Sequence, residues 1–99
     1  MKNISLETIK SKIKNDKSFL EYKFKVKALE LFGSFVRGEN TPNSDLDILV
    51  DFKEDIDLFT FVELEDYLSN LLGVKVDLVS KRALKPGIKE NVLKEAIQV

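Results

Sequence analysis

Apolar residues recur along the chain with two different periods, and these periods predict where helices and strands lie. Helical spacing begins after Ser5, a residue type that caps helix N-termini, and a further short helical segment surrounds Leu20. The longest stripe with helical spacing runs from Leu58 to Leu71. The last one begins at Pro86, which suits the first position of a helix.

The remaining apolar segments are short or alternate with polar residues, which is typical of strands. They predict three strands, at residues 26–32, 45–50 and 74–80. In the helix that precedes the third strand, Thr60 and Glu63 have the spacing of a capping box, and Gly73 suits the position just after the helix. The alternation of helices and strands favours an α/β (α+β) fold, with a mixed sheet of three or four strands and helices packed on it.

Composition limits the functions that the chain can have. The 99 residues suit a single domain over residues 1–99, and a net charge of −1 gives no field that would gather nucleic acid. No apolar run is long enough to span a membrane and no cysteine is present, so we expect a cytoplasmic protein. Histidine is absent, which leaves carboxylates and a hard cation, Mg²⁺ or Mn²⁺, as the natural chemistry.

The most informative stretch is residues 33–47, which ends in two carboxylates one residue apart. Asp45 and Asp47 are predicted to open the second strand, where alternate side chains share a face roughly 6–7 Å apart. Two carboxylates held this close repel each other unless a cation lies between them. The pair therefore predicts a metal site.

The start of the same stretch has the features of a phosphate site. Gly33 and Ser34 follow the first strand, where a short helical turn can begin and offer free backbone N–H groups to an anion. Gly38 suits the end of that turn. Arg37 is a weaker candidate for phosphate binding, with a surface ion pair to Glu39 as its alternative.

Two further residues have a functional and a structural interpretation. Asp77 is an ionisable residue inside the apolar third strand, where it either faces solvent at a sheet edge or lies beside the two earlier carboxylates. Ser44 either donates to phosphate or only precedes the second strand.

The motif of Gly33 and Ser34, ten further residues, and then Asp45-x-Asp47 resembles the signature of the DNA polymerase β-like nucleotidyltransferases. The short chain, the pair formed by Arg37 and Gly38, and the segment around Asp77 resemble the minimal branch of that superfamily, the MntA-type antitoxins. The resemblance covers about three quarters of the chain and implies the small nucleotidyltransferase fold. It makes Asp77 the third catalytic and metal-binding carboxylate.

The resemblance also implies a reaction and a partner. Asp45, Asp47 and Asp77 would hold two Mg²⁺ ions, and Gly33 and Ser34 would hold the phosphates of ATP. AMP would pass to a tyrosine of a HEPN-domain RNase toxin encoded next to this protein, and the two proteins would form a hetero-oligomer.

Two other functions stay open at this point. The chain could block its partner sterically without catalysis, or it could be the catalytic subunit of a nucleotidyltransferase that modifies small molecules such as antibiotics. The complete set of three carboxylates together with Gly33 and Ser34 argues against a decayed site. An adjacent helical protein with an Arg-x4-His-x-Tyr motif would favour the toxin pair.

Overall fold

A computed structural model of the chain describes residues 4–99. The helices and strands, in chain order, are α1 Leu6–Asn15, α2 Lys17–Phe24, β1 Val26–Phe32, α3 Ser34–Arg37, β2 Leu46–Phe52, α4 Leu58–Leu72, β3 Val76–Ser80, α5 Pro86–Glu95 and β4 Ile97–Gln98, with a 3-10 turn at Lys81–Ala83. No helix within these residues is long and apolar enough to cross a membrane.

The strands described by the structure form one four-stranded sheet in the order β3-β2-β1-β4. β1 pairs with both β2 and β4 in the antiparallel sense, whereas β2 and β3 are parallel and are connected through α4. A parallel pair needs such a crossover, because its second strand must return to the same end of the sheet. The predicted fold class, a mixed sheet with helices packed on it, is confirmed.

The two faces of the sheet differ in character, because side chains alternate along each strand. One face carries Leu31, Ile48, Val50 and Leu78, which are at most 5% exposed and pack with apolar residues of α1, α2 and α4. Burying these side chains is the main driving force for the fold. The opposite face carries the acidic residues of β2 and β3 and is only partly covered.

Helix starts follow the local capping chemistry. Ser5 caps α1 as predicted, with its hydroxyl accepting the Thr8 N–H at 3.1 Å. The capping box predicted at Thr60 is wrong, because α4 begins earlier, at Leu58. The carboxylate of Asp57 accepts the Thr60 N–H at 2.7 Å and caps this earlier start. Gly73 ends α4 with a φ of 71°, as predicted.

The strand boundaries differ slightly from prediction. β2 begins at Leu46, so Asp45 precedes the strand instead of opening it. The Leu46 N–H donates to the carbonyl of Lys75 at 2.8 Å, which starts the pairing with the segment leading into β3. β3 itself begins at Val76, two residues after the predicted start. Strand β4 was not predicted, because two residues are too short to show a period.

Candidate active site

The turn between β1 and α3 depends on glycine. Gly33 has a φ of 83°, and a Cβ at this position would lie within 2.9 Å of Cγ of Asp47. Only glycine satisfies both requirements, because it adopts positive φ readily and has no side chain to collide. The predicted helical turn follows at once and ends at Gly38, which has a φ of 73°. The sequence therefore predicted this turn correctly.

Asp47 and Asp77 lie side by side on the partly covered face of the sheet. They are direct partners in the parallel pairing of β2 with β3, so their side chains leave the sheet on the same side. Phe32, the last residue of β1, is the antiparallel partner of Asp47 on its other side. The structure thus brings Asp77 next to Asp47, while the position of Asp77 on an edge strand also leaves it exposed.

Partial burial and the neighbouring negative charges make Asp47 hard to ionise. Partial burial, followed by the charges of Asp77 and Asp45 and by a hydrogen bond with Asp77, raises the pKa of Asp47 to about 6. The positive charge of Arg37 opposes these effects. A carboxylate destabilised by its neighbours in this way is relieved by a cation, and oxygen-only donors suit a hard divalent ion such as Mg²⁺.

Asp45 lies at the margin of this group. Its carboxylate is 3.9 Å from the ammonium of Lys75, and its side chain is 41% exposed. Among residues 4–99, no group of three or more His, Cys, Asp or Glu side chains is already arranged to hold a metal ion. The structure therefore shows a close pair, Asp47 and Asp77, with Asp45 near enough to affect the pKa of Asp47. The donor chemistry fits a divalent ion, and the assignment of the three carboxylates as ligands stays a prediction.

Arg37 is held between two glutamates. Its Nε donates to Oε1 of Glu39 at 2.8 Å, and its Nη1 donates to Oε1 of Glu95 at 2.6 Å. The ion pair with Glu39 that the sequence offered as an alternative is therefore present. Hydrogen bonding to Glu39 and the charge of Glu95 raise the pKa of Arg37. The guanidinium is nevertheless close enough to Asp47 to lower the pKa of that carboxylate.

The two serines occupy different settings. Ser34 is the first residue of α3, directly after the Gly33 turn, and is partly exposed. Ser44 closes a loop turn: its hydroxyl accepts the Thr41 N–H at 2.8 Å, and its own N–H donates to the Thr41 carbonyl at 3.0 Å. The contacts of Ser44 are those of a turn residue, and a contact with phosphate stays a prediction.

Glu95 is the site residue that sequence analysis missed. Besides Arg37, its Oε1 accepts the N–H of Gly33 at 3.0 Å, across 62 residues of sequence. A single glutamate near the end of an amphipathic helix is usually solvated, so the sequence did not indicate a role for Glu95. The strand that places Glu95, β4, has only two residues and shows no period, so the sequence holds no signal that could have found this residue.

Comparison with known proteins shows which family the chain belongs to. The family model described as nucleotidyltransferase domain matches residues 10–99. Protein adenylyltransferase MntA of Thermococcus cleftensis is 48% identical over 99 residues, which cover all of both chains.

Solved structures extend the likeness to the fold. A structure provisionally described as a minimal nucleotidyltransferase has a TM-score of 0.84 and 38% identity, and the match covers all of both chains. A toxin–antitoxin structure with AMP-PNP has a TM-score of 0.70 and 30% identity, covering 85% of this chain and 69% of that one. Since the family model spans almost the whole chain and the fold matches throughout, the chain belongs to the nucleotidyltransferase domain family and is a transferase.

Proposed function

We propose that this protein transfers AMP from ATP to a tyrosine hydroxyl of a HEPN-domain RNase toxin and thereby acts as its antitoxin. The observation that carries the proposal is the pairing of Asp47 with Asp77 beside the Gly33 turn, with the pKa of Asp47 raised to about 6. Such a negative pair next to a glycine turn that leads into a helix fits metal-assisted transfer of a nucleotidyl group.

The three carboxylates would hold two Mg²⁺ ions in this proposal, with Mn²⁺ as a possible substitute. Asp45 and Asp47 would contribute to both ions, and Asp77 to the one nearer the attacking hydroxyl. When bound, the ions would neutralise charge on the triphosphate and lower the pKa of the attacking hydroxyl. The fit rests on the oxygen-only donor set and on the crowding that raises the pKa of Asp47.

The remaining site residues would bind and orient ATP. Because Gly33 has no side chain, the Asp47 carboxylate can lie against this turn, and the Ser34 hydroxyl and the N-terminal N–H groups of α3 can donate to phosphate oxygens. Arg37 adds positive charge on the same side. Ser44 either donates to phosphate itself or shapes the loop that leads to Asp45.

The reaction is an in-line substitution at the α-phosphorus of ATP. The tyrosine oxygen forms a bond to this phosphorus, the bond to the oxygen that bridges the α- and β-phosphates breaks, and pyrophosphate leaves. Asp77 is exposed at the sheet edge, where it can accept the proton of an incoming hydroxyl.

The nature of the partner is supported by relatives. Thermococcus cleftensis MntA is named a protein adenylyltransferase, and the solved structure that contains AMP-PNP is a toxin–antitoxin pair. A protein acceptor and an ATP-like donor therefore fit this chain better than a small-molecule acceptor. The HEPN identity of the toxin follows the resemblance to the MntA-type antitoxins, which is based on the short chain, the pair formed by Arg37 and Gly38, and the segment around Asp77.

The test is incubation of the chain with ATP, Mg²⁺ and the protein encoded by the neighbouring gene, followed by intact mass of both proteins. We expect the wild type to add one or more AMP units to the partner and the Asp45→Asn/Asp47→Asn variant to add none. Asp51→Asn is the matched control, because Asp51 lies on the same face of β2 but opposite Ala28, away from the carboxylate pair.

The outcomes separate the possible functions. If no mass is added and the wild type and the double variant silence the toxin equally, the chain acts by binding and the proposal is wrong. If AMP appears on a small hydroxyl compound and never on the protein partner, the acceptor class is wrong while nucleotidyl transfer holds. If Asp51→Asn is as inactive as the double variant, AMP transfer does not depend specifically on Asp45 and Asp47.

A further inference from the structure

Glu95 joins two parts of the site, the Gly33 turn and the guanidinium of Arg37. A single oxygen of its carboxylate accepts the Gly33 N–H at 3.0 Å and an Nη1 proton of Arg37 at 2.6 Å. The side chain is 28% exposed, against 47% for Arg37 and 66% for Glu39. Glu95 is therefore the more sheltered of the two carboxylates that hold Arg37, and it is the one that also contacts the turn.

The position of Glu95 follows from the pairing of the C-terminal strand. In the antiparallel pairing of β1 with β4, Leu31 is opposite Ile97 and Glu30 is opposite Gln98. Continuing this register by two residues places Glu95 opposite Gly33. The N–H of Val99 extends the same pairing at the other end, where it donates to the Leu29 carbonyl at 3.0 Å. The sheet thus fixes where the carboxylate lies.

The contacts of Arg37 leave part of its guanidinium available. Glu39 accepts a hydrogen bond from Nε and Glu95 accepts one from Nη1, while Nη2 has no hydrogen-bond partner within residues 4–99. A planar guanidinium that is anchored along one edge can still present its other donors to a phosphate. Without Glu95, only the more exposed Glu39 would restrain the side chain.

We infer that Glu95 is a positioning residue, which holds Arg37 beside the Gly33 turn in the arrangement that receives the triphosphate of ATP. The inference rests on the proposed function, in which ATP binds at this turn. Glu95 acts through Arg37 and does not itself touch the nucleotide, because its carboxylate would repel phosphate. Glu95 favours ATP binding by pre-organisation, because an anchored Arg37 side chain loses less conformational entropy when ATP binds.

The test measures ATP affinity in the presence of Mg²⁺ by calorimetry on the full chain, without a protein partner. We expect Arg37→Ala to raise the Kd about tenfold, the size of one lost hydrogen bond to a charged group. Glu95→Gln keeps the shape but loses the charge, and we expect it to raise the Kd by about three- to tenfold. Glu90→Gln is the matched control, because it removes the same charge from an exposed position of the same helix.

A double-variant cycle separates positioning from a general loss of structure. If Glu95 works through Arg37, adding Glu95→Gln to Arg37→Ala changes the Kd by less than about twofold, because the residue that it positions is already gone. If the substitution weakens binding equally with and without Arg37, Glu95 supports only the fold and the inference is wrong. Thermal unfolding of each variant shows how much of the effect comes from stability.

The remaining outcomes are also decisive. If Glu95→Gln binds ATP more tightly than the wild type, Glu95 competes with phosphate for Arg37 and positioning is the wrong account. If Glu95→Gln and Glu90→Gln both bind like the wild type, Glu95 has no role in nucleotide binding and the proposed function stands. If the wild type binds no ATP with Mg²⁺, the proposed function fails and this inference fails with it.

Discussion

The carboxylate of Asp47 lies directly against Cα of Gly33, so a side chain on Gly33 would occupy the same space as the central acidic residue of the site. The contact joins the end of β1 to the start of β2, which are paired through Phe32 and Asp47. The missing side chain at Gly33 therefore leaves room for the Asp47 carboxylate.

This contact, added to a backbone conformation that is almost restricted to glycine, predicts that Gly33→Ala is far more damaging than an alanine at another glycine of positive φ. Gly73 is the comparison, since its φ of 71° and ψ of 18° lie in the left-handed helical region and, among the described residues, nothing lies within 4 Å of where its Cβ would be. We expect Gly73→Ala to cost about 1 kcal/mol in free energy of unfolding and to keep activity. Gly33→Ala should cost at least about 2 kcal/mol and abolish AMP transfer, because Asp47 must move.

Urea denaturation and the intact-mass assay together check this prediction. Equal losses of stability and activity in the two variants would mean that only the positive φ matters at Gly33. The contact with Asp47 would then have no consequence for the site.

Most of the site could be predicted from the sequence, because its signals are local. Gly33 and Gly38 predicted the turn after β1, and the alternation around Asp77 predicted the face on which that residue lies. The contact between Asp47 and Asp77 depends on the pairing of two parallel strands, which local patterns do not show. The resemblance to a known family supplied that pairing.

Glu95 could not be predicted, because its role depends on pairing across 62 residues of sequence. The short strand β4 that places it has too few residues to show a period. The cap of α4 was predicted wrongly for a different reason: two residues that can cap, Asp57 and Thr60, are three positions apart, and only the folded chain shows which one caps. Asp45 was likewise placed in β2, although the strand begins at the next residue.

The burial of Asp47 and the negative charges around it predict that removing its charge stabilises the metal-free protein. The pKa of Asp47 is about 6 in the folded state, against an ordinary value of 3.8. Above pH 6 the carboxylate is ionised in both states and only the folded state carries the repulsion, whereas below about pH 4 it is protonated in both. Asp47→Asn should therefore gain stability at pH 7.5 and lose this gain as the pH falls from 6 to 4.

The expected gain is roughly 1–2 kcal/mol, reduced from the full pKa shift because Asp47 is only partly buried. Chemical denaturation with a chelator present, at pH 7.5 and at pH 4.5, measures it. Asp51→Asn serves as the control, since Asp51 shares the face of β2 but is opposite Ala28. A gain of the same size at both pH values would show that the amide stabilises by packing and not by removing charge.

The two serines predict different kinetic effects. If Ser34 binds the phosphates of ATP equally in the ground and transition states, Ser34→Ala raises KM for ATP about tenfold and leaves kcat nearly unchanged. Ser44 closes the turn that leads to Asp45, so Ser44→Ala should lower kcat more than it raises KM. Steady-state rates of AMP transfer over a range of ATP concentrations separate the two effects. A rise in KM for Ser44→Ala with unchanged kcat would assign that hydroxyl to phosphate binding.

Metal binding should relieve the repulsion at Asp47 and release protons in a pH-dependent way. With a pKa of about 6, Asp47 is half protonated at pH 6, and a metal ion must displace that proton to bind the carboxylate. We expect Mn²⁺ or Mg²⁺ binding to release about half a proton at pH 6 and almost none at pH 8, with weaker affinity at the lower pH. Calorimetry in two buffers with different ionisation enthalpies measures this release.

The free energy of unfolding gives a second test of metal binding at Asp47. At a metal concentration 100 times its Kd, the wild type should gain about 2.7 kcal/mol in free energy of unfolding. Asp47→Asn should gain much less, because it lacks the shared carboxylate, whereas Asp51→Asn should match the wild type. If the metal stabilises all three proteins equally and releases no proton at pH 6, the ion binds elsewhere, and Asp47 is not one of its ligands.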